Sequence, residues 1–200
     1  MPRKIAHDYR GGTLHARPQK KRMDMKVFYD ILTWLFGIFA AVFVAVALIY
    51  FIGIKTSVVG SSMEPGLMNG QEVLINRVVY QFSSPKRGDV IVFHPNGNQN
   101  THFYVKRIIG LPGETIQIRQ GSIYINGETY TGAIPGEIKD PGIAADEILL
   151  GEEDYFVLGD RRDNSEDSRS ADIGNVTRGM IEGKAWYKLR YGKNKMGWVK

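Results

Sequence analysis

The chain has 200 residues and a formal net charge of +5 at pH 7, and this charge is unevenly distributed. Residues 1–26 contain eight Lys and Arg against two acidic residues, whereas residues 27–200 contain 18 basic and 19 acidic ones. The near-neutral remainder argues against a nucleic-acid-binding domain, which would carry a basic face. The chain has no cysteine, which excludes disulfides, thiolate catalysis and Cys-based zinc sites.

A long apolar stretch lies near the N-terminus. Residues 31–54 are 24 consecutive residues without a charge, and as a helix they would extend roughly 36 Å, enough to cross a hydrocarbon core of about 30 Å. A domain this small cannot surround a helix that is apolar on every side. The stretch is also too long for a cleavable signal peptide and lacks an A-x-A-like exit. We therefore predict a transmembrane helix over residues 27–54.

The flanking charges predict the orientation of this helix. All eight basic residues of the N-terminal segment precede the apolar stretch, and only Lys55 closely follows it. An excess of Lys and Arg marks the cytoplasmic side of a span. We therefore predict that residues 1–26 are a disordered cytoplasmic tail near anionic lipid. Residues 55–200 are predicted to be an extracytoplasmic domain anchored in the cell membrane.

The domain after the helix is predicted to be built from β-strands. Its apolar runs are short, rich in Val, Ile, Tyr and Phe, and separated by Gly and Pro. Asn126-Gly127 between two alternating runs predicts a two-residue hairpin, and segments 96–101 and 132–150 are predicted to be surface loops. The predicted fold class is mainly β, a compact barrel or sandwich preceded by one transmembrane helix. The predicted strands are Glu72–Val79, Asp89–Phe93, Phe103–Ile109, Thr115–Arg119, Ser122–Ile125, Glu128–Thr131, Tyr155–Leu158 and Met180–Leu189.

Three segments of this domain carry residues suited to catalysis. In residues 60–65 (GSSMEP), a serine on a tight turn can expose its hydroxyl beside converging backbone N–H groups, as a nucleophile with an oxyanion hole requires. Lys106 lies on a predicted strand, and burial would lower its pKa enough for the neutral amine to accept a seryl proton. Residues 159–169 (GDRRDNSEDSR) contain mutually pairable groups that can form a rigid polar network.

Other interpretations of these residues stay open at this point. Each segment alone also fits an ordinary solvated turn, strand or loop. A calcium loop fits residues 159–169 poorly, because Arg162 interrupts the ligand order and the required glycine is missing. A Ser-His-Asp triad would have to use His94 or His102, and no acidic residue is placed to orient either histidine.

Taken together, the segments resemble type I signal peptidases over essentially the whole chain. Ser62-Met63-Glu64-Pro65 matches the Ser-Met-x-Pro nucleophile motif of that family. Residues 87–93 (RGDVIVF) resemble its second motif, residues 106–113 (KRIIGLPG) the motif that carries the lysine base, and residues 159–169 the last motif. Four motifs in this order behind one membrane span make the resemblance specific.

The resemblance implies a membrane-bound serine endopeptidase that removes signal peptides after small, Ala-x-Ala-like residues. It implies that Ser62 is the nucleophile, that the Ser62 backbone N–H donates to the oxyanion, and that neutral Lys106 is the general base. The implied partners are the signal peptides of secreted preproteins and the lipid bilayer, with no nucleic acid. No metal or cofactor is implied, and a monomer is expected.

The resemblance also implies supporting roles in the last motif. Ser165 would hydrogen-bond the amine of the base and fix its direction. Asp167 and Arg169 would form a structural ion pair nearby, and Asp160 would support the loop. These four residues complete the set of predicted site residues.

Three positions depart from the family pattern. Gly66 stands where Thr is usual, Arg161 stands where Asn is common, and Gly60 stands where some members place a serine that aids the oxyanion hole. Two alternative functions are kept. One is a non-catalytic assembly factor on the same scaffold, although such relatives often lack the lysine. The other is a LexA-type self-cleaving Ser/Lys protein, against which the membrane span and the lack of a DNA-binding helix pair count.

Overall fold

The N-terminal part of the structure, a computed structural model, is one long helix. Helix α1 spans Met25–Ile52, and by length and composition its stretch Met25–Ile49 could cross a membrane. The predicted end of the span is corrected, because Ile54 already belongs to a strand. The structure describes residues 24–52, 54–98, 100–132, 136–192 and 195–199, so most of the predicted basic tail lies outside the described residues.

The rest of the described chain is mainly β, which confirms the predicted fold class. A short helix, α2, spans Val79–Phe82, and three 3₁₀ turns span Pro95–Gly97, Gly142–Ala145 and Arg178–Met180. The strands are β1 Ile54–Ser57, β2 Glu72–Asn76, β3 Val90–Phe93, β4 Tyr104–Gly110, β5 Thr115–Arg119, β6 Ser122–Ile125, β7 Glu128–Thr129, β8 Ile148–Leu149, β9 Asp154–Leu158, β10 Val176–Thr177, β11 Ile181–Lys188 and β12 Gly197–Trp198.

The strands form two antiparallel sheets. The larger sheet has the order β1-β2-β11-β3-β4-β9-β10, with β12 beside β11, and the smaller has the order β7-β6-β5-β8. Strand β4 pairs with β3 from Tyr104 to Arg107, but it pairs with β9 only from Arg107 onward. The first half of β4 therefore has β3 on one side and no paired strand on the other within the described chain.

All eight predicted strands are present, two of them with the predicted bounds and the others with ends that differ by one to three residues. Strands β5 and β6 have the predicted bounds, and Asn126 and Gly127 have φ angles of 52° and 81°, as a type I′ hairpin turn requires. Strand β2 ends at Asn76 instead of Val79. The Asn76 Oδ1 atom accepts the N–H groups of Val78 and Val79 at 3.0 and 2.9 Å, which turns the chain into α2.

The prediction that segment 132–150 is a surface loop is partly wrong. Ile138, Ala144 and Leu150 are buried and pack into the apolar core of the smaller sheet. Residues 133–135 lie outside the described residues. The buried side chains attach this segment to the fold, because each removes apolar surface from water.

A second apolar core lies beneath the loop that joins β1 and β2. Val58, Met63 and Leu67 from that loop pack with inward-facing residues of the larger sheet. Those sheet residues are Val73, Ile75, Val90, Val92, Val105 and Ala185. The loop that contains Ser62 is therefore fixed to the sheet by close packing and is not free to move independently.

Candidate active site

Ser62 lies in a turn that is fixed at both the backbone and the side-chain level. The Glu64 N–H donates to the Ser61 carbonyl at 3.1 Å, and the Leu67 N–H donates to the Met63 carbonyl at 2.8 Å. The Met63 and Leu67 side chains are buried. These contacts anchor the residues around Ser62 and leave its hydroxyl facing a cleft.

Lys106 lies in β4 and contacts the Ser62 hydroxyl. The Lys106 Nζ atom is 2.7 Å from Ser62 Oγ, although the two residues are 44 positions apart in sequence. Lys106 is opposite Ile91 of β3 and is only 5% exposed. This distance allows a neutral amine to accept the seryl proton directly, as base-activated nucleophiles require.

Burial determines the charge of Lys106. It lowers the pKa of Lys106 from 10.5 to about 8, because the ammonium form loses its hydration. The negative charges of Asp167 and Glu166 act in the opposite direction and favour the ammonium form. With a pKa near 8, about a tenth of the lysine is neutral at pH 7. The site therefore contains a usable fraction of free base under mild conditions.

Arg107, the next residue along β4, is also buried but is fully paired. Its Nε and Nη2 atoms donate to the two carboxylate oxygens of Asp160 at 2.8 and 2.9 Å, and its Nη1 atom donates to the Gly88 carbonyl at 2.7 Å. The structure thus shows how Asp160 is held. Side chains alternate along a strand, so Arg107 is expected on the face opposite Lys106, but no local pattern in the sequence identifies Asp160 as its partner.

The last motif is organised around a second buried ion pair. Arg169 Nε and Nη2 donate to Asp167 at 2.8 and 2.9 Å. Asp167 also accepts the Gly159 N–H at 3.0 Å, and Arg169 Nη1 donates to the Arg162 carbonyl at 2.9 Å. Asp167 and Arg169 are therefore paired with each other and hydrogen-bonded to the backbone, which makes the loop beside Lys106 rigid.

The expected hydrogen bond between Ser165 and Lys106 does not form in this structure. Ser165 Oγ is buried and has no hydrogen-bond partner among the described residues. The Lys106 amine is directed to Ser62 instead. Ser165 Oγ packs so closely over Gly159 that a Cβ atom at position 159 would lie 2.2 Å from it. Ser165 can therefore lie this close to the backbone at position 159 only because Gly159 has no side chain, a role that the sequence did not indicate.

Two of the positions that depart from the family pattern have clear structural partners. A Cβ atom at Gly66 would lie 2.6 Å from Asp160 Oδ2, so glycine permits the close approach of that carboxylate. Arg161 Nη2 lies 2.9 Å from Glu64 Oε2 and joins the last motif to the nucleophile loop. Both departures therefore occur where those two segments meet.

The third departure, Gly60, lies beside the cleft that contains Ser62. Gly60 has a φ angle of 87°, a conformation that favours glycine. No backbone carbonyl in the described part of the chain accepts the Ser62 N–H. The cleft has a volume of about 410 Å³ and is lined by Val59, Gly60, Ser61, Ser62, His102, Phe103, Tyr104, Val105, Lys106, Asn164 and Glu166.

The histidine and metal interpretations find no support in the described residues. His94 stacks on Phe103 with ring centroids 4.4 Å apart, and His102 lines the cleft. In the described chain, neither histidine hydrogen-bonds to Ser62, whose hydroxyl contacts Lys106. Over the same residues, no group of three or more His, Asp or Glu side chains is arranged to hold a metal ion.

Comparisons with known proteins agree with the motifs. The sequence profile of the family described as "Signal peptidase, peptidase S26" matches residues 31–189. The chain is 38% identical over 161 residues to a signal peptidase I of Bacillus amyloliquefaciens, covering 76% of this chain and 84% of that protein. It is 32% identical over 178 residues to signal peptidase IB of Staphylococcus aureus, covering 80% and 90%.

A solved structure of a signal peptidase I from Enterococcus faecalis is 31% identical to this chain. The superposition covers 51% of this chain and 97% of that one, with a TM-score of 0.41. The family match extends over well more than half of the sequence, and the curated relatives align over most of their own length. The chain therefore belongs to the signal peptidase I family, the membrane-associated S26 serine endopeptidases that remove signal peptides.

Proposed function

We propose that this chain cleaves signal peptides from translocated preproteins with Ser62 as nucleophile and Lys106 as general base. The observation that carries the proposal is the 2.7 Å contact between Lys106 Nζ and Ser62 Oγ. Burial of the lysine supports the same assignment, since it favours the neutral amine that a base must be.

The reaction follows from this contact. Neutral Lys106 accepts the hydroxyl proton as Ser62 Oγ bonds to the scissile carbonyl carbon, and the Ser62 N–H donates to the resulting oxyanion. The Lys106 ammonium then returns the proton to the leaving amine as the C–N bond breaks, which leaves an acyl-enzyme. Water gives a proton to Lys106 as it attacks the ester carbon, and the Lys106 ammonium returns that proton to Ser62 Oγ as the ester bond breaks, which releases the signal peptide and restores the free enzyme.

The open edge of β4 supports binding of the substrate as an extended strand. Among the described residues, no strand pairs with Tyr104 to Lys106 on the side away from β3, so their backbone groups can pair with a peptide. Val59, Phe103 and Tyr104 line the cleft that contains Ser62. Bulky walls of this kind favour small substrate residues, as the Ala-x-Ala-like preference of the family predicts.

Helix α1 and the charge distribution support action at the outer face of the cytoplasmic membrane. The basic residues precede the helix, so we propose that the N-terminus is cytoplasmic. Only residues 53–61 separate helix α1 from Ser62, at most about 32 Å of extended chain. This short link would keep the nucleophile near the membrane surface, where a signal peptide emerges. We further propose that the enzyme acts as a monomer.

The proposal is tested by processing of a preprotein in detergent. Ser62→Ala and Lys106→Ala should each lower the rate of cleavage by about a thousandfold or more, because each removes a group that the chemical step needs. The matched controls are Ser84→Ala and Lys86→Ala, two exposed residues outside the cleft. Both controls should cleave like the wild type.

Two results would contradict the proposal. Cleavage at the wild-type rate by both Ser62→Ala and Lys106→Ala would show that the pair is not catalytic. Absence of cleavage by every form, with partner binding retained, would instead favour a non-catalytic assembly factor on this scaffold.

A further inference from the structure

Glu166 lies at the rim of the cleft and is held there by Tyr104. The Tyr104 hydroxyl donates to Glu166 Oε2 at 3.0 Å, and this contact links β4 to the last motif across 62 positions of sequence. Burial and the neighbouring carboxylate raise the pKa of Tyr104, so it stays protonated and remains a donor. Lys106 Nζ lies 5.5 Å from the centre of the Tyr104 ring. Glu166, Tyr104 and Lys106 therefore line one wall of the cleft.

The other carboxylates near Lys106 are neutralised by arginines. Asp160 is paired with Arg107, and Asp167 is paired with Arg169. In the described part of the chain, Glu166 has no cationic partner, and its contact is with the uncharged Tyr104 hydroxyl.

The remaining surroundings of Lys106 add little charge. Its neighbour on β3 is the apolar Ile91, and the nucleophile loop contributes the neutral Ser62 hydroxyl. His102 lines the same cleft. Among the described carboxylates that favour the ammonium form of Lys106, Glu166 is thus the one without an arginine partner.

Resting on the proposed function, we propose that Glu166, positioned by Tyr104, favours the ammonium form of Lys106 that proton transfer from Ser62 creates. Such a charge has two opposing effects. It makes the neutral base scarcer at low pH, and it stabilises the positive charge that develops on the lysine during attack. Glu166 is a positioning residue that adjusts the base through space and does not contact the reacting atoms.

The test compares pH profiles of cleavage for the wild type and Glu166→Gln, which removes the charge but keeps the shape. In Glu166→Gln the acid limb should move to lower pH, so the ratio of activity at pH 7 to that at pH 9.5 should rise about two- to threefold. The plateau at high pH should fall, because a weaker base accepts the proton less readily. At about 1 M salt the difference from the wild type should shrink, because the carboxylate is exposed and salt screens its charge.

Two further variants separate the charge effect from general damage. Tyr104→Phe keeps the ring but releases the carboxylate, so it should change the profile in the same direction by a smaller amount. Glu128→Gln removes an exposed carboxylate on β7, outside the cleft, and should leave the profile unchanged.

A second readout does not depend on cleavage. In protein labelled with ¹³Cε-lysine, the Lys106 resonance is identified by its absence in Lys106→Met, and its titration midpoint should be lower in Glu166→Gln than in the wild type. Identical midpoints and superimposable pH profiles would overturn the inference. If the wild type does not cleave any preprotein, the proposed function fails, while the titration still decides whether Glu166 acts on Lys106.

Discussion

Two neighbouring cations of β4, Lys106 and Arg107, lie on opposite faces of the strand and are both buried, but their hydrogen-bond partners differ. Lys106 and Arg107 are 5% and 6% exposed, so both have lost most of their hydration. Arg107 recovers the lost interactions through a bidentate contact with Asp160 and a third hydrogen bond to Gly88. Lys106 has no carboxylate partner within hydrogen-bond distance in the described chain, and its contact is with the neutral Ser62 hydroxyl.

This difference assigns the two residues to different tasks. The Arg107 guanidinium, which donates to both carboxylate oxygens of Asp160, stays charged and fixes the position of the loop after β9. An unpaired ammonium is unstable in the same environment, so the pKa of Lys106 falls to about 8 and a neutral amine becomes accessible. For Arg107, burial with a carboxylate partner yields a structural ion pair; for Lys106, burial without such a partner favours the neutral amine that the proposed mechanism requires.

The largest expected loss of stability comes from removing the carboxylate of Asp160, the partner of Arg107. Asp160→Asn leaves the Arg107 charge buried and uncompensated, so we expect the free energy of unfolding to fall by about 3–5 kcal/mol. Chemical denaturation of the purified protein measures this loss. Asp163→Asn, an exposed change in the same loop, should cost less than about 0.5 kcal/mol. A loss below 1 kcal/mol for Asp160→Asn would show that Arg107 does not depend on this partner.

Removing the unpaired cation, Lys106, should raise the free energy of unfolding at pH 7 instead of lowering it. The pKa of Lys106 is lower in the folded state than the ordinary value of 10.5, so the ammonium destabilises the fold below pH 8, and stability recovers as the pH rises from 8 to 10.5. Lys106→Met should therefore be inactive but more stable than the wild type at pH 7, on the order of 2 kcal/mol. Thermal unfolding at pH 7 and pH 10 measures this gain, which should shrink at the higher pH. A less stable variant at pH 7 would contradict the comparison.

The exposed ion pair between Glu64 and Arg161 should contribute least to stability and activity. Glu64 and Arg161 are 2.9 Å apart, but their side chains are 22% and 42% exposed, so water and salt weaken their attraction. A double-mutant cycle with Glu64→Gln and Arg161→Asn should give a coupling energy below about 1 kcal/mol. Activity should change by less than about twofold, because the residue 161 N–H can still donate to the Ser62 carbonyl. A coupling above 2 kcal/mol would show that this pair resembles the buried ones.

Local patterns predicted much of this fold. Alternation along β4 placed Lys106 and Arg107 on opposite faces, and Asn126-Gly127 marked a hairpin because both residues tolerate a positive φ angle. The two-residue strands β8, β10 and β12 escaped prediction, since a run that short has no measurable period. Strand β1 was hidden because its first residue continues the apolar stretch of α1.

The sequence was less informative about contacts between distant segments. Arg107 and Asp160 are 53 positions apart, and Tyr104 and Glu166 are 62 apart. No local spacing relates either pair, so each is visible only after the strands have paired. The direction of Ser165 also depends on the fold, because it is set by packing against Gly159.

The pH dependence of preprotein cleavage by the wild-type protein tests the central claim most directly. If Lys106 must be neutral to accept the Ser62 proton, kcat/KM should rise tenfold per pH unit on the acid side and level off above a midpoint of about 8. A midpoint near 10.5, the ordinary value for lysine, would contradict the account. So would a rate that does not change between about pH 6 and pH 10.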